Sequence, residues 1–574
     1  MNNRLSLKEI FFIALMGVVL FLQFLAFQKS ERFNQKLIKL EENLSAGESA
    51  NRQNFSTTAD NAENEGDWLI WALAVEPKTL NLISTNSDIY TRWMCFQQVF
   101  EPLMAYDYDE IKLKPVLAES YEISADDLEI TFKLRNDIHF SDGVAITADD
   151  VVFTYQTVIN PLIDAADLAS SYIDVKGVEK IDDRTVKFYM KQPYFLATEI
   201  LSFWNIGIYP KHIYDFKNPE EFNKRISNPV GSGPYVFEKW DGGDKVVFRR
   251  NENYWGAKPK IKKVIYKFML NDRARLAALQ SGDVDMIIPS PDQYVELVKD
   301  KNFTEKYNCL AYWNPGTPFF YLGWNQNTPF FADKNVRLAM AYMLDRESLI
   351  SHILKNSGKA VTGPYYIYAP ENDPNIKPLP YDIKKAGELL DTAGWTDSDG
   401  DGIRDKNGKP FKFKFSYAAD NGIYQNIANY LKDSAAKLGI EVIADPVEWS
   451  VLITRLPEHK FDALIMGWGG AIIDDNYQIF HSSQINNRGC NYVGFNNPQA
   501  DELLERIRRT LDDNKRIALS RKLHRLVYDE QPYTFLFSRP TYKIVDRRFE
   551  NVIIHKLGVK EEEWFVPKEK QKYK

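Results

Sequence analysis

Histidine and cysteine are scarce in this chain of 574 residues, at seven and three. Cys95, Cys309 and Cys490 lie far apart and form no CxxC pair, so neither a zinc site nor a thiol redox motif is legible. Three thiols allow at most one disulfide, and burial as small apolar side chains accounts for all of them. No histidine falls into HExxH or another paired metal-ligand spacing. The GxSxG elbow, the GxGxxG loop and the phosphate-binding P-loop pattern are missing too, and Gly231-Ser232-Gly233-Pro234 is only a turn. With no motif to fix an acid–base pair or a nucleophile, the chain reads as a protein that is not an enzyme and requires no cofactor. A basic excess is also lacking. The 72 Lys and Arg against 79 Asp and Glu leave a net charge of −7, with no long basic block, which argues against nucleic acid as a partner.

Long apolar runs are missing except for one. Ile10–Phe27 is 18 residues with a single polar member, Gln23, about the minimum to span a bilayer as a helix. Arg4 and Lys8 precede it, as in a secretory signal. The run ends without the small-residue pattern of a cleavage site, and no cysteine follows it for lipid attachment. Residues 1–29 therefore read as an uncleaved signal-anchor helix, with cleavage at a poor site as the alternative. Lys29, Arg32 and Lys36 on the far side leave the orientation unset by charge. Phe33, Leu37, Leu40 and Leu44 then form a two-heptad stripe over 30–46, enough for weak self-association of an otherwise monomeric protein. Residues 50–67 are rich in Asn, Ser, Thr, Ala and Glu and cannot build a core, so 30–67 reads as a helix and flexible tether.

What the rest has in quantity is ordinary globular composition, 44% hydrophobic and 26% charged, for three or four structural units at roughly 100–200 residues each. Aromatics reach 14%, which suits large cores or stacking surfaces in a cleft. Short apolar runs read as strands at 69–75, 128–135, 185–190 and 246–250. Ile130, Phe132 and Leu134 alternate onto one face. Thr147 caps a helix containing Val151, Val152 and Tyr155; Asn271 or Asp272 starts another that stops at Gly282. Strands interspersed with helices give a mixed α/β class.

One loop has the order of an EF-hand calcium site. Asp397, Asp399 and Asp401 stand at positions one, three and five, Ile403 offers its carbonyl at seven, and Asp405 stands at nine. Position twelve, where a bidentate Glu belongs, is Gly408, so the pattern predicts weak calcium or else a solvated Asp-Gly turn.

Several stretches resemble the family 5 extracellular solute-binding proteins, the oligopeptide- and dipeptide-binding proteins of ABC transporters. They are LKPVLAESYEISADDLEITFKLRNDIHFSDGVAITADDVVFTY at 113–155, NPVGSGPYVFEKWDGGDKVVFRRNENYWG at 228–256, ALQSGDVDM at 278–286, NVRLAMAYMLDRESLI at 335–350, AGWTDSDGDGIRD at 393–405, KFDALIMGWGG at 460–470 and NPQADELLERIR at 497–508. They run in the family's order through nearly all of 68–545. The resemblance implies a periplasmic-binding-protein-like class II fold of two lobes and three domains. The first lobe is discontinuous over 68–105, 205–320 and 540–574 and carries an insertion domain at 106–204; the second lobe spans 321–539. Hinge strands are expected near Tyr321–Asn325 and Ser538–Thr541. The function implied is capture of peptides outside the cytoplasm, at the membrane face, for an ABC permease pair with its ATPases. Alternatives are another solute (an oligosaccharide, a nickel chelate or an opine) and a sensor that presents ligand to a signalling partner.

The resemblance also nominates ligand-facing residues. Trp468 matches the family's cleft tryptophan, and Asp474 or Asp475 the carboxylate that takes the ligand's amino group; helix capping is the competing role for both. Trp449 resembles a second cleft tryptophan, and Arg455 lies near a ligand-facing arginine, whereas Ile465 replaces another. Trp204, Tyr90 and Trp324 complete the candidate lining or belong to the core.

Overall fold

The strand expected at 69–75 is Trp68–Leu73, and it lies at the centre of a seven-stranded sheet. The computed structural model describes residues 65–573 apart from 487 and 488, so the apolar run Ile10–Phe27 and the stripe over 30–46 lie outside the described residues. Trp68–Leu73 pairs in parallel with Lys263–Phe268 and Met286–Ile287. Outward from these lie Lys245–Arg250 and Tyr235–Asp241 on one side, Thr541–Asp546 and Tyr307–Tyr312 on the other. Apolar side chains on both faces of the central strand explain its place: Leu69, Trp71 and Leu73 enter one core, Ile70 and Ala72 another.

The alternating run at 128–135 is Glu129–Leu134, in a four-stranded antiparallel sheet with Ala118–Ile123, Thr185–Met190 and Val175–Asp182. Ile130, Phe132 and Leu134 are buried as the alternation requires. The helix Ala148–Ile159 packs beside this sheet. A capping box starts it, in which the Asp150 carboxylate accepts the Thr147 backbone N–H at 2.9 Å. Asn271 caps the helix Asp272–Ser281, and Gly282 ends it at φ +82°.

A six-stranded sheet occupies the remainder, in the order Lys359–Ala360, Tyr533–Ser538, Phe319–Trp324, Ala463–Trp468, Lys412–Ala418, Glu441–Val447. Two segments join it to the seven-stranded sheet. One is 313–318, between Tyr307–Tyr312 and Phe319–Trp324; the other is Arg539-Pro540, between Tyr533–Ser538 and Thr541–Asp546. The first crossing therefore precedes the expected Tyr321–Asn325, most of which pairs inside the sheet.

The tether boundary expected at 67 also moves. Asp67 is fully buried in an ion pair with Arg548, whose guanidinium also meets Asp285 at 2.8 Å, and Asp67 accepts the backbone N–H groups of Lys572 and Tyr573. Gly66 donates to the Lys260 carbonyl. Glu65 to the C-terminus forms one compact unit, locked by this network where its two chain ends meet. Among the described residues no helix is long and apolar enough to cross a membrane.

Candidate ligand-binding site

The parallel strands Lys412–Ala418, Glu441–Val447 and Ala463–Trp468 all end at one edge of the six-stranded sheet. There Phe319 begins its strand and Ser538 ends its own, both in register with the same row as Trp468. Both inter-sheet connections leave from this edge. So do the loop Gly469–Asn476, the helix Trp449–Arg455 and the helix Gly422–Ala436. Strand polarity thus gathers these loops where a ligand between the sheets would meet them.

Trp468 is half-buried, stacked on Tyr492 at 6.0 Å between ring centroids, with its indole N–H directed at the Tyr533 hydroxyl 3.4 Å away. Gly470 follows in close contact with the first connection. A Cβ there would collide with the Pro315 carbonyl oxygen, so only glycine lets the loop lie on 313–318. This contact fixes where the two aspartates fall.

Their environments differ. Asp475 is spoken for: its Oδ2 is 2.9 Å from Arg508 Nε and accepts the Tyr194 hydroxyl at 2.8 Å, while Oδ1 accepts the backbone N–H of Tyr477 at the start of the next short helix. Capping and an ion pair therefore occupy it in this structure. Asp474 is half-buried and accepts the Ala471 backbone N–H at 3.1 Å. Burial pushes its carboxyl up to about 7, with Glu371 and Asp475 adding to the rise. Among the described residues no cation pairs with it.

Trp449 begins its helix and is 47% exposed at the edge, where an aromatic surface is open to a ligand. Arg455, on the same helix, is engaged through one nitrogen. Its Nη1 is 2.8 Å from Asp445, which also accepts the Ser416 hydroxyl at 2.7 Å. Trp324 is a core residue, 0% exposed, donating its indole N–H to Thr534 at 2.9 Å and packed against Phe331; this corrects the lining role. It ends its strand opposite Ala463, at the far end from the Phe319–Trp468 row and the edge that carries the loops. Trp204 is half-buried, with Phe96 and Tyr106 edge-on at 5.0 and 5.2 Å. Tyr90 is half-buried in the helix Ile89–Cys95 against Trp93, its hydroxyl pKa raised by burial and by Asp88.

In the candidate calcium loop, carboxylate oxygens of Asp397, Asp399 and Asp401 lie within 4.8 Å of one another, all exposed. Asp405 does not join them. Its carboxylate accepts the backbone N–H and hydroxyl of Ser398, and those bonds hold it below the usual carboxylate range. Ile403 donates its N–H to Asp401 at 2.7 Å. The clustered carboxylates are thus three, in a turn whose glycines, Gly400 and Gly402, adopt φ +78° and +88°.

Sequence reasoning missed the contact between the four-stranded sheet's surroundings and the helix Pro498–Arg509. Asp174 meets Arg509 at 2.9 Å and Arg508 at 3.6 Å, and Phe195 donates its N–H to the Arg508 carbonyl. It also missed Arg539. Clues were the Arg508-Arg509 doublet ending an amphipathic helix and an arginine placed before a proline.

Two sheets joined by two short connections, with a desolvated carboxylate and an exposed tryptophan on the edge between them, define a solute-binding protein. The chain belongs to the bacterial extracellular solute-binding proteins, family 5, whose model matches residues 112–488. It is 30% identical over 533 residues to the oligopeptide-binding protein AppA of Bacillus subtilis, covering 89% of this chain and 93% of that one. The solved structure of that protein, in complex with a nonapeptide, superposes with a TM-score of 0.77 over 88% of this chain and 99% of the other. NikZ from Campylobacter jejuni in complex with Ni(L-His) is 27% identical, with a TM-score of 0.75 over 87% of this chain and 99% of that one. Family membership makes the chain a binding protein of the kind that serves ABC transporters, not an enzyme.

Proposed function

We propose that this chain captures peptides outside the cytoplasm and delivers them to a peptide-type ABC permease pair with its ATPases. The seven-stranded sheet with residues 106–204 forms one lobe and the six-stranded sheet the other, hinged at 313–318 and Arg539-Pro540. The apolar run Ile10–Phe27 holds the protein at the cytoplasmic membrane. The name of the Bacillus subtilis relative, an oligopeptide-binding protein, and its solved complex with a nonapeptide support the ligand class. The observation that carries the reading is Asp474: a half-buried carboxylate pushed up to about 7, on a loop fixed by Gly470, without a cation among the described residues. A peptide's α-ammonium supplies the missing charge, and a charge-assisted hydrogen bond there is roughly twice as strong as a neutral one. Trp449 and Trp468 offer ring surface beside it. The three carboxylates of Asp397, Asp399 and Asp401 form a weak calcium position remote from this edge in the sequence.

Mass spectrometry of what the purified full-length chain releases on denaturation tests the ligand class. Peptides are expected. A non-peptide solute released in stoichiometric amount would contradict the reading.

A further inference from the structure

Arg539 stands out among the arginines of the described residues. Among the described residues the buried arginines have acceptors or ion-pair partners, Arg508 through Asp475 at 2.9 Å although its Nε makes no hydrogen bond. Arg250 pairs with Glu252 at 3.0 Å, Arg346 donates to the carbonyls of Phe535, Ala341 and Leu379, Arg337 to those of Phe331 and Ala332, and Arg548 lies between Asp67 and Asp285. The Arg539 guanidinium is half-buried 5.8 Å from the Phe320 ring centroid, with Tyr424 and Tyr542 around it. Among the described residues nothing accepts a hydrogen bond from it or forms an ion pair with it. Burial lowers its pKa, a sign of how much the cation loses by leaving water there. Five N–H donors held against aromatic rings without an acceptor are an unmet demand that water meets only in part.

The position adds a second argument. Arg539 and Pro540 are the whole of one connection between the two sheets. The proline ring that follows restricts Arg539 to extended backbone, so its side chain leaves the crossing in a set direction. Phe320 and Tyr424 belong to the six-stranded sheet and its helix Gly422–Ala436, Tyr542 to the seven-stranded sheet. Tyr542 is itself fixed, stacked at 4.3 Å on Tyr294. The guanidinium therefore sits where both sheets contribute walls, at the same edge that carries Trp449, Trp468 and Asp474.

We propose that Arg539 is the carboxylate receptor of the cleft, pairing through its planar fork with an anionic carboxylate of the bound ligand between Phe320, Tyr424 and Tyr542. A guanidinium matches a carboxylate bidentately, which a lysine ammonium does not, and the aromatic walls exclude water and strengthen the pair. The carboxylate is either a peptide's C-terminus or an acidic side chain. For the carrier, though not for the carboxylate, the inference rests on the peptide reading above.

Two measurements on the full-length chain test it. Calorimetry compares wild type, Arg539→Gln and Arg539→Lys, checked for equal melting temperature, against nonapeptide pools with free or amidated C-termini and with or without acidic side chains. Arg539→Gln is expected to lose about 30-fold or more for whichever pools carry the recognised carboxylate and nothing for those lacking it. Arg539→Lys recovers only part of that loss. A loss confined to free-acid pools identifies the C-terminus; one confined to acidic pools identifies a side chain. Unchanged binding of every pool by Arg539→Gln overturns the proposal. If wild type binds no pool, the peptide reading fails, and phenylglyoxal labelling decides the receptor alone. Acetate slowing the labelling of Arg539, relative to exposed Arg521, upholds it; acetate without effect overturns it.

Discussion

Asp475 and Arg508 form a 2.9 Å ion pair that ties the Gly469–Asn476 loop to the helix Pro498–Arg509, and Tyr194 joins it from beyond the four-stranded sheet. Arg508 is only 7% exposed and lies over the faces of Tyr194 and Tyr477 at 4.5 and 4.6 Å. Removing the carboxylate leaves a buried guanidinium with the more distant Asp174. Asp475→Asn is therefore expected to destabilise the chain by about 3 kcal/mol, read from chemical denaturation. A loss of peptide affinity without loss of stability would return Asp475 to the ligand.

Asp474 gives a pH signature of opposite sign to a salt-bridged carboxylate. Its pKa is raised from 3.8 to about 7, so the folded state binds more protons than the unfolded state between those values. Its contribution is neutral at pH below 3.8, turns unfavourable as pH rises, and is fully unfavourable above about 7. Glu101 and Glu562, also pushed to about 7 by burial, act in the same sense. Asp474→Asn should accordingly stabilise the unliganded protein at pH 8 and leave its stability unchanged near pH 3, as measured by urea denaturation. An equal effect at both pH values would mean that the carboxyl is not desolvated.

Much of the fold was readable because its signals are local. The alternation at Ile130, Phe132 and Leu134, the Thr147–Asp150 capping box and the left-handed Gly282 each sit within a few residues of what they determine. The site was readable only as places in the chain. Tyr194 is 281 positions from Asp475, so no local pattern announces that one carboxylate is taken and its neighbour left over. Arg455 looked free because Asp445 lies on a different element, and Trp324 because a tryptophan in a strand looks alike whether it faces core or cleft.

Gly470 is the tightest approach between the site loop and the connection 313–318. Gly470→Ala must displace backbone, because the obstacle is the Pro315 carbonyl rather than a flexible side chain. An overpacked site of this kind costs about 1–3 kcal/mol, and the displaced loop carries Asp474 with it. A fall in melting temperature together with weaker peptide binding is expected. Unchanged binding would show that the loop's placement is irrelevant to the ligand.

A chain beginning at Glu65 should fold as the full chain does, because Asp67 completes the network of Arg548 and Asp285. One beginning at Leu69 loses Asp67 and should unfold at lower urea. Equal midpoints would remove the network from the account of stability.

Calcium at millimolar concentration should raise the melting temperature of wild type slightly and that of Asp399→Ala not at all, since three carboxylates within 4.8 Å repel one another until a cation joins them. No shift in wild type leaves the loop as an Asp-Gly turn.

On the proposed function, Asp474 receives a peptide's amino group. Calorimetry of wild type and Asp474→Asn with a nonapeptide pool and its N-acetylated twin measures this directly. Wild type is expected to bind the free-amine pool at least about 30-fold more tightly than the acetylated one, and Asp474→Asn to lose this preference. Free and acetylated peptides bound equally by wild type, or a preference that survives Asp474→Asn, would contradict it.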